Sequence, residues 1–227
     1  MVSRFIADDA ARAFEVLRSG GVAIIPMDVG YTAAGGSAAA LNTIFDTKQR
    51  GPTKLNAMVA DNETAFDLYR LSDRGREVIT TITEDYGLPL GAIAPCRMDH
   101  PMLRVLGDEA LAASTRDATL AILLNAGPFH AEISRLSREQ VHPIFGSSAN
   151  RSMAGTKFRV QDIEPELLNI ADLVIDHGLR KYHHYRASST LLDVETFEVV
   201  RHGSCFELIA DIVERHFQVE LPPPADS

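Results

Sequence analysis

Tryptophan is absent from this chain, aromatic residues make up 7% of it, and 227 residues contain only two cysteines. Cys96 and Cys205 lie far apart and match no metal-ligand or redox spacing. They read as two reduced thiols, in keeping with a cytoplasmic protein. An excess of positive charge is also lacking. Lys and Arg total 22 against 31 Asp and Glu, for a net charge of −9. A broadly basic nucleic-acid surface is thereby excluded, although a local basic patch is not. Long hydrophobic runs are missing too: LAILL at 120–124 falls far short of the ~20 residues a membrane span needs. The opening MVSRFIADDA is acidic and has no apolar h-region, so neither a secretory signal nor a membrane partner is expected. There is no internal repeat, no nucleophile elbow, no Walker loop and no Cys-His signature.

What is present is an alternation of short apolar runs and helical periodicities. Ala11, Phe14 and Leu17 recur at helical spacing over 8–19, stopped by Gly20-Gly21. VAIIP (22–26) reads as a buried strand, followed by a turn-prone stretch with Gly30, Gly35 and Gly36. Ser37 is a fair N-cap for a helix with Leu41, Ile44 and Phe45 on one face. Strands are expected at 55–60, 90–94, 120–124 and 171–176, and from 142 into a polar turn ending at 150. A strand pair is expected at 188–194 and 197–203, and helices after Ser72, at 160–170 and at 205–217. The pattern predicts one α/β domain over 1–217 with a twisted, mixed parallel/antiparallel sheet flanked by helices. A disordered Pro-rich tail is expected over 218–227.

Two pairs of residues carry chemistry. Lys48 and Arg50 stand two apart at a helix end, where extended backbone would aim both at one anion. Lys would act as a point charge and Arg as a fork for phosphate or carboxylate oxygens. The same cations would equally complete the helix end by offsetting its dipole. Ser148 and Asn150, in GSSAN, offer a hydroxyl and an amide with small neighbours that let a ligand approach; alone they are an ordinary polar turn. RKYHHYR (180–186) packs cations, histidines and tyrosines into one stretch, readable as a loop over a nucleotide or RNA or as a solvated surface. No metal-ligand set emerges at His183-His184. Asp99-His100 and His202 read as structural.

In order along the chain stand GGVAIIPMDVGYTAAG (20–35), KQR (48–50), GLPLGAI (87–93), SSANRSMAG (147–155), SSTLLDV (188–194) and VVRHG (199–203). This series resembles the YrdC-like family, whose members make threonylcarbamoyl-adenylate from threonine, bicarbonate and ATP for tRNA modification. The resemblance runs from about residue 10 to residue 205. It implies ATP with Mg²⁺ as cofactors. It implies an amino acid (threonine or another) and bicarbonate as substrates, and tRNA or tRNA-modification proteins as partners. Carried over by position, it implies that Lys48, Arg50, Ser148 and Asn150 form the catalytic quartet on ATP, with Arg201 and Thr156 also at the nucleotide. Met27, Asp28, Tyr31 and Ser189 would line the amino-acid side.

The chain departs from that pattern on the amino-acid side. The family's PTDTVYGL is here PMDVGYTA, with Met27 and Val29 in place of both threonines. The threonine of the PLT segment is Gly91, and Leu123 or Leu124 stands where the family's strand arginine faces the amino acid. Positions matched to ATP are largely kept and those matched to threonine largely changed. The alternative to a threonylcarbamoyl-adenylate synthase is therefore a diverged member that binds nucleotide or RNA without threonine-dependent turnover.

Overall fold

The computed structural model describes residues 3–49 and 55–224. Among them, ten strands form one sheet: β1 Val22–Met27, β2 Gly30–Gly35, β3 Ala57–Val59, β4 Leu90–Pro95, β5 Thr115–Arg116, β6 Thr119–Leu124, β7 Phe145–Ser148, β8 Leu173–Val174, β9 Leu191–Asp193 and β10 Val199–Arg201. Their spatial order is β10-β9-β4-β6-β3-β7-β2-β1-β8, with β5 beside β6. The pairs β1–β8, β3–β6 and β4–β9 are parallel and the others antiparallel. The mixed α/β sheet expected from the sequence is therefore present.

Register decides which residues meet. Met58 lies opposite Ile122, Ile122 opposite Ala92, and Ala92 opposite Leu192. All four fall in the largest core, with Ile209, Ile212 and Val213 of the helix Phe206–Phe217. Side chains alternate along a strand, so the neighbours Ala57, Val59, Ala121, Leu123, Gly91, Ile93 and Leu191 share the opposite face. These line a cavity. A second core joins helices Arg4–Arg18 and Pro128–Glu139 to β1 and to Val59 and Leu123. A third holds Tyr31 and Ile44.

The structure corrects several expectations. Residues 30–35 are a strand, not a loop, because β1 and β2 form a hairpin registered from Val22↔Gly35 to Met27↔Gly30. A stretch as small-sided as GYTAAG gives no apolar period, and its pairing is fixed by its neighbours. Residues 128–139 are a helix with Phe129, His130 and Ile133 buried, although no helix was expected there. The tail is ordered through its first turns: Leu221 is buried in the main core, and the Pro222 carbonyl accepts from His202 Nε2 at 2.9 Å. An apolar residue among the prolines supplies that anchor. His100 is structural as expected, capping a short helix and pairing with Asp67 at 2.9 Å.

Candidate functional site

The cavity, of about 480 Å³, opens on the sheet's small-residue face. Ala57, Ala121, Gly91 and Gly146 form its floor, because larger side chains in these central strands would fill it. At one end stand Lys48, Ser148 and Asn150, and at the other Ser189 and Arg201.

Lys48 caps the C-terminus of the helix Ala38–Thr47, donating its N–H to the Ile44 carbonyl. Its side chain is only 3% exposed, and its ammonium donates to the Ser148 carbonyl. In return the Lys48 carbonyl accepts from Ser152 N–H at 3.2 Å. These two links bind the helix end to the turn after β7. A cation at a helix C-terminus is favourable in itself, and the same residue also lines the cavity.

Asn150 is 7% exposed. Its Nδ2 donates to the Arg151 carbonyl at 2.6 Å, while its Oδ1 is buried with no hydrogen-bond partner among the described residues. The hydroxyl of Ser147, another lining residue, is in the same condition. Leaving a buried polar atom unpaired costs about 1–3 kcal/mol. Such atoms beside a cavity mark where a polar ligand would complete the set.

At the far end the Ser189 carbonyl accepts two hydrogen bonds from Arg201, at 3.1 and 2.7 Å, and its hydroxyl a third at 3.3 Å. Arg201 counts as exposed over the whole residue, yet its charged head lies against this strand. That local burial holds its pKa below the ordinary arginine value.

The profile of the Sua5, YciO and YrdC proteins, described as telomere recombination, matches residues 15–203. The chain belongs to this family. Its fold is shared with a hypothetical protein of Streptococcus mutans, at TM-score 0.76 and 20% identity over 92% of both chains. E. coli YciO superposes at TM-score 0.63 and 19% identity, over 87% of this chain and 90% of that one. P. abyssi Sua5, solved in complex with L-threonine, superposes at TM-score 0.72 and 18% identity over 96% of this chain, which spans 60% of that protein. No match is found among curated proteins.

Of the residues singled out by the family resemblance, Lys48, Ser148, Asn150, Ser189 and Arg201 line the one cavity. Arg50 lies outside the described residues. Four others do not line it. Met27 is fully buried in the second core. Tyr31 points the other way: its hydroxyl meets Asp176 Oδ1 at 3.0 Å and the Gly178 carbonyl at 2.8 Å, and accepts from His177 N–H. Burial, and then Asp176, push its pKa up to about 12. Asp28 pairs with Arg180 at 3.2 Å, and burial raises its pKa against the pull of that arginine. Thr156 packs its Cγ2 against Gly30, where an added Cβ would fall 2.3 Å away. These residues hold the β1–β2 turn and the loops over it.

Arg180 therefore belongs to the frame. It binds Asp28, the Met27 carbonyl at 3.1 Å and the His177 carbonyl at 3.1 Å, while Lys181, His183, His184 and Arg186 remain exposed. Sequence reasoning missed Arg116, which lines the cavity at the end where Ser148 stands. It faces Thr119 across the β5–β6 hairpin, so it shares the face of Ala121 and Leu123. The turn residues Asp117 and Ala118 both have positive φ, at 49° and 58°. That is the signature of a two-residue hairpin, which Asp-Ala does not advertise in sequence.

Proposed function

We propose that this cleft binds ATP and forms an acyl-type adenylate, of the kind made from an amino-acid carbamate in the threonylcarbamoyl-adenylate synthases. The observation that carries the reading is the convergence of Lys48, Ser148 and Asn150 at one end of one cavity, with a buried amide oxygen that has no partner among the described residues. A carboxylate-type oxygen attacks the α-phosphorus; the bond from that phosphorus to its bridging oxygen breaks, and pyrophosphate leaves with the electron pair. No protein nucleophile is needed. The chain's share is positioning, which in general supplies about 7–11 kcal/mol, and neutralisation of phosphate charge by Lys48 and Arg116. Arg50, as the resemblance has it, would join them.

No carboxylate lines the cavity among the described residues. The neutral oxygens of Ser148 and Asn150 are the groups of this lining that would hold a Mg²⁺ brought in on the triphosphate. It supplies charge neutralisation at the phosphates when bound. The product's onward use in tRNA modification, through tRNA or its modifying proteins, follows the family and is part of the proposal.

Titration calorimetry with Mg-ATP and a pyrophosphate-release assay test the reading. Micromolar binding that is lost in Lys48→Met and weakened in Asn150→Ala supports it. Absence of nucleotide binding by the folded wild type removes it.

A further inference from the structure

Four lining residues form one row across the sheet. Val59 lies opposite Leu123, Leu123 opposite Gly91, and Gly91 opposite Leu191. All four are apolar, and Val59 and Leu123 are continuous with the buried cluster that contains Met27 and Val29. Leu124, by contrast, belongs to the core on the opposite face. Leu123 therefore presents an apolar side chain to the middle of the cavity, with a buried apolar cluster behind it.

Neither arginine of the cavity covers this place. Arg201 ends the same row at Leu191, three strand spacings or about 14 Å from Leu123. Its head is turned onto Ser189. Arg116 sits beside Thr119, four residues or about 14 Å along the strand from Leu123. Gly91 and Leu191 are sterically coupled within the row. A Cβ there would fall 2.3 Å from Leu191 Cδ2 and 2.9 Å from the Thr190 carbonyl, so threonine does not fit at 91 while leucine occupies 191.

We infer that the second substrate is a monoanion with one carboxylate-type oxygen pair on an apolar, otherwise uncharged body, and not a free amino acid carrying a second carboxylate. The inference rests on the adenylate-forming reading of the cleft. The reacting group is the one carboxylate, whose oxygen attacks the α-phosphorus while pyrophosphate departs. The body lies on the Val59–Leu123–Gly91–Leu191 row. Two sources supply such a group: a short branched carboxylic acid, or the carbamate that a neutral alkylamine forms with bicarbonate.

The test uses the full chain with Mg-ATP, reading ATP binding by calorimetry and pyrophosphate release separately. The probes are isovalerate, isobutylamine with and without bicarbonate, and threonine with bicarbonate. The inference expects isovalerate, or isobutylamine plus bicarbonate, to stimulate release at least about tenfold more than threonine; a bicarbonate requirement identifies the carbamate. Leu123→Arg moves the isovalerate-to-threonine ratio towards threonine by about tenfold. If that variant does not fold, Leu191→Ser is read by the same ratio. With ATP bound, equal or better stimulation by threonine overturns the inference, as does an apolar panel that stimulates nothing. Both results leave ATP binding standing. Failure to bind ATP removes the adenylate reading and this inference together.

Discussion

Replacing Asn150 by alanine separates a binding residue from a turn residue by the opposite signs of two measurements. Its Oδ1 is buried with no partner among the described residues, while its Nδ2 holds the Arg151 carbonyl. Removing the orphaned oxygen relieves about 1–3 kcal/mol, and losing the Nδ2 bond costs about 0.5–1.5 kcal/mol. The free protein should therefore lie between about 0.5 kcal/mol less and about 2.5 kcal/mol more stable. For a chain of this length that corresponds to a Tm rise of no more than about 10 °C. Binding moves the other way. An amide oxygen only accepts, and the donors of Mg-ATP are its neutral ribose hydroxyls and adenine amino group, so the bond is worth about 0.5–1.5 kcal/mol and the Kd for Mg-ATP should rise about 2- to 13-fold. Thermal unfolding by circular dichroism and calorimetry with Mg-ATP supply the two numbers. A Tm lowered by more than about 5 °C with unchanged ATP affinity would make Asn150 a structural turn residue and refute the reasoning.

Tyr31→Phe should do the reverse, because the hydroxyl serves Asp176, Gly178 and His177 away from the cavity. Stability should fall by about 1–3 kcal/mol in denaturant titration, with the ATP Kd unaltered. Gly91→Thr should destabilise by at least about 1–3 kcal/mol through the clash with Leu191 and the Thr190 carbonyl, and Leu191→Ala should recover part of the loss in the double variant. His130, 2% exposed, bonds the Leu123 carbonyl at 2.8 Å, and burial lowers its pKa from 6.5 to about 4. Its folded pKa lies below the unfolded one, so its contribution is complete above pH 6.5 and is lost as pH falls towards 4. About 3 kcal/mol is at stake. His130→Gln should flatten that limb of a stability-versus-pH curve, and an unchanged limb would assign the loss to other groups.

Much of the fold was legible because apolar runs such as VAIIP and LAILL and the caps Ser37 and Ser72 act locally. Ser37 accepts from Ala40 N–H at 3.2 Å and Ser72 from Gly75 N–H at 3.0 Å. The strand of β2 was not legible, since small residues carry no period and its edges are supplied by β1 and β7. Within the site, Lys48, Ser148, Asn150, Ser189 and Arg201 could be picked out in advance, because their order along the chain follows a family pattern. The same pattern assigned Met27, Asp28 and Tyr31 to the amino-acid side and Thr156 to the nucleotide. In the structure these four pack the far side and the β1–β2 turn.

By itself the sequence determined the alternation of strands and helices, the family, and the residues able to grip an anion. These depend on neighbours in the chain or on ordered short segments. Tertiary structure alone decided which face of each central strand lines the cavity. β3, β4 and β6 are apolar on both faces, so a period of two cannot say which side is open. Register settles it: Leu123 lines the cavity and Leu124 the core, and Arg116 enters from a hairpin that pairing creates.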